Sequence, residues 1–164
     1  MWTEMDSPIG PLRLVEHNGA ITAIEFSPYP PSVGQSSDGR VRGAQSDTEP
    51  VLVEAVRQLT AYFDHDLKEF DLPLDPVGTD FQRRVWDQLL GVGWGETASY
   101  GEIAHRLGMT NAASRAVGLA NGRNPIPIVI PCHRIIGANG TLTGYAGGLP
   151  RKQLLLELEQ DALF

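Results

Sequence analysis

The sequence predicts an α+β fold in two parts. A small sheet with one helix occupies residues 1–75, and a mostly helical part containing a helix-turn-helix occupies 76–164. Three observations lead there. Apolar residues alternate on either side of a tight turn in the first 26 residues, which is the period of strands. From residue 79 onward the apolar spacing becomes helical, with capping residues at the start of the stripes. Between the two, Asp75-Pro76-Val77-Gly78 breaks the pattern, and the balance of charge changes sign just beyond it.

In the first part, Leu12 and Leu14 flank Arg13, Asn18-Gly19 is a strong hairpin signal, and Ile24 and Phe26 resume the alternation. Ser7-Pro8-Ile9-Gly10-Pro11 is another turn. Residues 27–50 are rich in Pro, Gly and Ser without periodicity and read as a flexible loop, disordered at its tip. Leu52, Val56, Leu59 and Phe63 fall on one stripe of a helix over 51–63. Phe70, Leu72 and Leu74 alternate with acids and Pro73, which suggests a short edge strand.

In the second part, Thr79-Asp80-Phe81-Gln82 forms a capping box for a helix that turns Phe81, Val85, Trp86 and Leu89 inward. Gly91-Val92-Gly93-Trp94-Gly95 ends it. Ser99-Tyr100-Gly101-Glu102 is a second capping box, with Ile103, Ala104 and Leu107 as the stripe and Gly108 as the C-terminal cap. A short turn leads to another helix over about 112–120, and the pair reads as a helix-turn-helix. That second helix is built of small residues, Ala112, Ala113, Ser114, Ala116, Gly118 and Ala120, with Arg115 projecting among them. Two readings are open: tight packing within the protein, or close approach to a DNA backbone with Arg115 reaching into a groove or the base stack.

The chemistry is concentrated in residues 124–134, Asn-Pro-Ile-Pro-Ile-Val-Ile-Pro-Cys-His-Arg, which hold the protein's single cysteine. Pro125, Pro127 and Pro131 disfavour helix, so 126–130 is expected to be an extended, buried apolar segment. It would hold Cys132 and His133 rigidly at its end. A lone cysteine is commonly a small buried hydrophobe. The functional alternative is that His133 helps make Cys132 a thiolate, the form of sulfur that attacks carbon.

Beyond it, Ile135-Ile136, a turn at Gly137-Ala138-Asn139-Gly140 and the stretch 141–148 read as a short hairpin ending in a glycine-rich loop. Gly147-Gly148 lacks Walker spacing, which argues against a nucleoside triphosphate site. Pro150 opens the last helix. There Leu155, Leu158 and Ala162 share a face, with Glu159 in the middle of it. A carboxylate in an apolar stripe needs a partner. Either Glu159 pairs with the His133 ring in a Glu–His–Cys relay, or it lies in water at a fraying end.

Hydrophobic content of 41% with 20% charged residues fits an ordinary globular protein, and no apolar run reaches membrane-spanning length. The N-terminus lacks a signal-peptide pattern, and one cysteine excludes an internal disulfide; both fit a cytoplasmic location. A net charge of −7 argues against a nucleic-acid partner, but its distribution does not. Residues 1–80 carry 14 acids against 5 bases, and 81–164 carry 6 against 8. Between 98 and 156 the sole acid is Glu102, against Arg106, Arg115, Arg123, Arg134, Arg151 and Lys152, which reads as a local basic surface able to contact phosphates.

Pro131-Cys132-His133-Arg134 after Asn124-Pro125 closely resembles the O6-alkylguanine-DNA alkyltransferases. Ser99-Tyr100-Gly101, Ser114-Arg115-Ala116-Val117-Gly118, Gly144-Tyr145-Ala146-Gly147-Gly148 and Glu159 extend the match over about 79–160, and Asp6 to Leu12 carry it more loosely into the N-terminal part. The resemblance implies repair of alkylated DNA by direct reversal, and an N-terminal part resembling ribonuclease H. The damaged guanine is flipped out of the duplex, and its alkyl group passes irreversibly to Cys132, once per protein molecule. O4-alkylthymine would be a poorer second substrate.

By position, Cys132 is then the nucleophile, His133 its base through a bridging water, and Glu159 the group that orients His133. Tyr100 would push the base out and protonate the leaving guanine, and Asn124 would brace the loop. Arg115 would fill the gap left in the stack. Ser99, Tyr100, Asn111, Ala113 and Ser114 would join Arg115 against the DNA minor groove, and Ile135, Tyr145 and Ala146 would line the pocket. The partner is double-stranded DNA bound by a monomer, with clustering along DNA left open. No cofactor and no membrane contact are implied. Some relatives hold a structural zinc, but His17, His65 and His105 lack ligand spacing, so no metal is expected. Gly93 stands where relatives often have proline. The alternative function is a non-catalytic protein that marks alkylated DNA for other repair factors.

Overall fold

The computed structural model describes residues 1–29, 36 and 39–161. The predicted positions 30–35, 37 and 38 of the loop, and Ala162 of the last helix, lie outside the described residues. The chain forms two compact units, Met1–Val77 and Gly78–Phe164. It is α+β, with an antiparallel sheet in the first unit and a largely helical second unit.

In the first unit, β1 (Trp2–Met5), β2 (Leu12–His17) and β3 (Ala20–Phe26) form a meander in the order β1-β2-β3. The β2–β3 turn is Asn18-Gly19, both with positive φ, which suits the right-handed twist of the strands. Leu12, Leu14, Ile21 and Ala23 are buried, together with Leu52, Ala55, Leu59 and Tyr62 of α1 (Pro50–Phe63). Arg13 and Glu25 are buried too, and they pair at 2.6 Å.

Two expectations change here. The described part of the predicted loop is tied down along β1: Trp2 N donates to Ala44 O, Ser46 N donates to Trp2 O, and Trp2 Nε1 donates to Gly43 O. Composition marks such a stretch as loop, but main-chain donors and acceptors pair regardless of side-chain type. The predicted strand at 70–74 is a single bridge, Ile21 to Leu74, because Pro73 has no N–H with which to extend a ladder.

The second unit begins with α2 (Asp80–Leu89), closed by the full Thr79–Gln82 capping box. A two-residue strand β4 (Ala98–Ser99) runs into α3 (Tyr100–Arg106), where Ser99 Oγ accepts from Glu102 N. Gly108, with φ of +76°, ends α3, and Met109 N donates to Ala104 O. A 3-10 turn at Asn111–Ala113 leads into α4 (Ser114–Gly122). Trp86 Nε1 donates to Ala120 O at 2.8 Å, pinning α2 to α4. The last helix, α5, spans Leu149–Asp161.

Residues 126–130 are buried but not extended. They form successive tight turns: Val129 N donates to Pro127 O, Ile130 N to Ile126 O and Cys132 N to Ile130 O, and Ile128 has φ of +74°. Proline excludes helix but not folded turns, and burying three isoleucines in a short span favours a compact knot over a strand. The hairpin expected after it does not form either. Ile135–Ile136, here β5, pairs in parallel with β4, and bonds from Gly137 N to Thr141 O and from Gly140 N to Gly137 O close the turn beyond.

Candidate active site

Cys132, His133 and Arg134 occupy a 3-10 turn at the end of the isoleucine knot, and all three are buried. Two amides hold this segment. Asn124 donates to Ile130 O at 2.8 Å and accepts from Ile126 N at 2.9 Å, so one side chain spans the knot. Asn121, on the last turn of α4, donates to the Cys132 carbonyl at 3.3 Å. Cys132 is thus fixed from both sides.

Glu159 reaches in from α5. Its Oε2 lies 2.8 Å from His133 Nε2, and Arg134 grips the same carboxylate through Nε and Nη2, each at 2.9 Å. Arg134 Nη1 also donates to Val92 O, at 2.6 Å. Burial works against the Glu159 charge, but the His133 and Arg134 hydrogen bonds outweigh it and hold the pKa down at about 2. A carboxylate that is ionised here accepts from His133 Nε2–H, which leaves His133 Nδ1 as the unprotonated nitrogen. That atom is buried and has no hydrogen-bond partner among the described residues. Burial also lowers the His133 pKa, so the ring is neutral and able to accept a proton.

Cys132 differs from the expected thiolate. Burial pushes its pKa up to about 11, against the opposing effects of the Asn124 hydrogen bond and the Lys152 charge. The resting group is a thiol beside a neutral imidazole, and it becomes a nucleophile when its proton is removed.

Tyr100 is brought to the same region by the parallel β4–β5 pair, which sets Ser99 opposite Ile136 and so starts α3 next to the cysteine segment. Its hydroxyl lies 2.5 Å from Thr143 Oγ1. Ile135 is buried directly after the cysteine turn, whereas Tyr145 is half-buried and Ala146 exposed in the turn before α5. Asn111, Ala113, Ser114 and Arg115 form a separate group at the start of α4. Ala112, Arg115, Ala116 and Leu119 are exposed, while Val117 and Ala120 face the core. The small residues at 112 and 116 therefore do not serve internal packing. Gly118 is half-buried against Tyr100, whose ring would touch an added Cβ at 3.6 Å.

Sequence reasoning missed Asn121, Arg134, Thr143 and Lys152. Arg134 and Lys152 entered it as surface charge, but both are buried, so the basic surface of 98–156 reduces to Arg106, Arg115, Arg123 and Arg151. Arg134 is the counter-charge of Glu159, and Lys152 is held by carbonyls. One signal was readable: Lys152 shares the helical stripe of Leu155 and Glu159, at spacings of three and seven.

A family model for the DNA-binding domain of 6-O-methylguanine DNA methyltransferase matches residues 80–161, and one for the ribonuclease-like domain of that enzyme matches residues 1–76. The methylated-DNA–protein-cysteine methyltransferase of Mycobacterium tuberculosis is 52% identical over 159 residues, covering 96% of this chain and 90% of that protein. Its namesake in Methanosarcina acetivorans is 48% identical over 154 residues, covering 94% of each. A crystal structure of the Mycobacterium tuberculosis O6-methylguanine methyltransferase matches with a TM-score of 0.86 at 50% identity, over 98% of this chain and 93% of that one. The same TM-score is found, at 48% identity and the same coverage, for the Mycobacterium tuberculosis OGT in complex with DNA. Fold and sequence together define a methyltransferase whose acceptor is a cysteine of the protein itself. Both domains being present, this chain belongs to the 6-O-methylguanine DNA methyltransferase family.

Proposed function

We propose that this protein reverses alkylation of DNA in one irreversible step at Cys132, on an O6-alkylguanine turned out of the duplex. The single observation that carries the reading is the buried run Glu159–His133 beside Cys132, with His133 Nδ1 unpartnered among the described residues and the imidazole neutral. The Cys132 S–H proton passes through a water to Nδ1, and Glu159 stabilises the imidazolium that forms. The thiolate attacks the alkyl carbon, a C–S bond forms and the C–O bond to guanine breaks. The electron pair leaves on the base, which takes a proton from the Tyr100 hydroxyl. The product is a thioether, which no side chain here can hydrolyse, so each molecule acts once.

DNA is met through the minor groove by the outward face of α4 in a helix-turn-helix. The exposed Ala112 and Ala116 permit close approach to the backbone, with Arg115 entering the stack where the base has left. Ser99, Asn111, Ala113 and Ser114 contact the backbone beside it, and Ile135, Tyr145 and Ala146 receive the base. O4-alkylthymine is accepted less well, and the protein works as a monomer.

The test uses duplex DNA carrying O6-[methyl-³H]guanine. One label per protein, on Cys132, is expected, with no product beyond the protein concentration. Label left on the DNA would reduce the protein to a lesion binder, and product in excess of protein would refute the single-use mechanism.

A further inference from the structure

We propose that Thr143 is a positioning residue for Tyr100, holding the phenol at the angle from which it protonates the departing base. This rests on the functional reading above. Residues 141–143 belong to no strand, and a connecting segment of that kind ordinarily leaves its polar groups to water. Thr143 is instead committed on both sides. Its carbonyl accepts from Lys152 Nζ at 3.0 Å, and its hydroxyl meets the Tyr100 hydroxyl at 2.5 Å.

Lys152 is a firm anchor. It is fully buried on α5, and its other acceptor, at 2.5 Å, is the carbonyl of Ile135, three residues past Cys132. One ammonium therefore ties the chain just after the nucleophile to the residue that touches the proton donor. Tyr100 itself sits on the first turn of α3, and its ring lies beside Gly118 of α4. The ring is thus placed by its helix and by α4 beside it, and Thr143 sets the hydroxyl.

The step balances without further groups. As the C–O bond to guanine breaks, the Tyr100 O–H bond breaks and its proton goes to the base. The electron pair stays on the phenolic oxygen. The Thr143 hydroxyl then donates a hydrogen bond to that oxygen without giving up its proton.

Thr143→Val removes the hydroxyl at nearly constant shape, and Thr143→Ser restores it. Single-turnover transfer from an O6-methylguanine duplex is measured at saturating protein, with the Kd for the same duplex determined separately on Cys132→Ala versions. Thr143→Val is expected to slow transfer by about tenfold, the value of one hydrogen bond, with Kd unchanged and Thr143→Ser within about twofold of the parent. In a Tyr100→Phe background the Val substitution should have no further effect, since the pair is then already broken. A merely structural role would slow both backgrounds alike.

An unslowed Thr143→Val, a Ser variant as slow as Val, or additive effects with Tyr100→Phe would each overturn the assignment. Urea unfolding checks each variant; should Val destabilise the fold, Thr143→Ala against Thr143→Ser makes the same comparison. Parent protein that leaves no label on Cys132 overturns the functional reading and this assignment together. Parent transfer with an unslowed Thr143→Val overturns the assignment alone.

Discussion

At the scale of single residues, the chemistry depends on where two protons rest. Cys132 holds one because burial raises its pKa, and His133 lacks one at Nδ1 because burial keeps the ring neutral and the Glu159 carboxylate holds its one proton at Nε2. His133→Ala is expected to slow transfer by about 10²- to 10⁴-fold, the usual contribution of a general base, while Cys132→Ala abolishes transfer and retains lesion binding. Rapid-quench transfer assays and gel shifts on the same lesion duplex measure the two effects; demethylation by Cys132→Ala would remove the assigned nucleophile. Glu159 makes a separate prediction about stability. Its folded pKa of about 2 lies below its ordinary 4.5, so the unfolded chain takes up the proton first as pH falls. The stabilisation, about 3 kcal/mol, is present above pH 4.5 and disappears toward pH 2. Urea midpoints should therefore fall between pH 6 and pH 3 by more in the parent than in Glu159→Gln; equal falls would show that the carboxylate is not held as described.

At the scale of elements, the isoleucine knot and the capped helices answer to different side chains. Asn124→Ala strands a buried N–H at Ile126 and leaves the Ile130 carbonyl with Cys132 N alone, and should cost about 1–3 kcal/mol in urea unfolding while also slowing transfer. Thr79→Ala removes only the cap of α2, should cost about 1 kcal/mol, and should leave the transfer rate alone. The contrast identifies the knot as the element that aims Cys132. For α4, Arg115→Ala should slow transfer from duplex DNA but not from the free base O6-benzylguanine, which needs no flipping. Equal slowing on both would place Arg115 outside the flipping step.

At the scale of the whole molecule, the acidic character belongs to the first 80 residues, whereas the segment 98–156 offers four cationic side chains that are not buried, Arg106, Arg115, Arg123 and Arg151. Two to four phosphate contacts imply a slope of log K against log salt of about −2 to −4. Fluorescence anisotropy titrations between 50 and 200 mM salt measure it. A slope near zero would mean that phosphate contacts contribute little, and a much steeper one would require cations beyond these four.

The apolar periods, Asn18-Gly19, the Thr79–Gln82 box and the Asn-Pro…Pro-Cys-His-Arg run are all local patterns. By themselves they determined the α+β order of elements, the chemical type of the acceptor and the pairing need of Glu159. The tertiary structure alone decided the rest: that 126–130 knot rather than extend, that Arg134 and Lys152 turn inward, and that Thr143 meets Tyr100. Each of these depends on contacts between residues far apart in the chain, 25 positions from Arg134 to Glu159 and 43 from Tyr100 to Thr143. Burial reverses the meaning of a side chain there. An arginine or lysine that reads as surface charge becomes a counter-ion or an anchor once water is gone, and a thiol that reads as a ready thiolate keeps its proton.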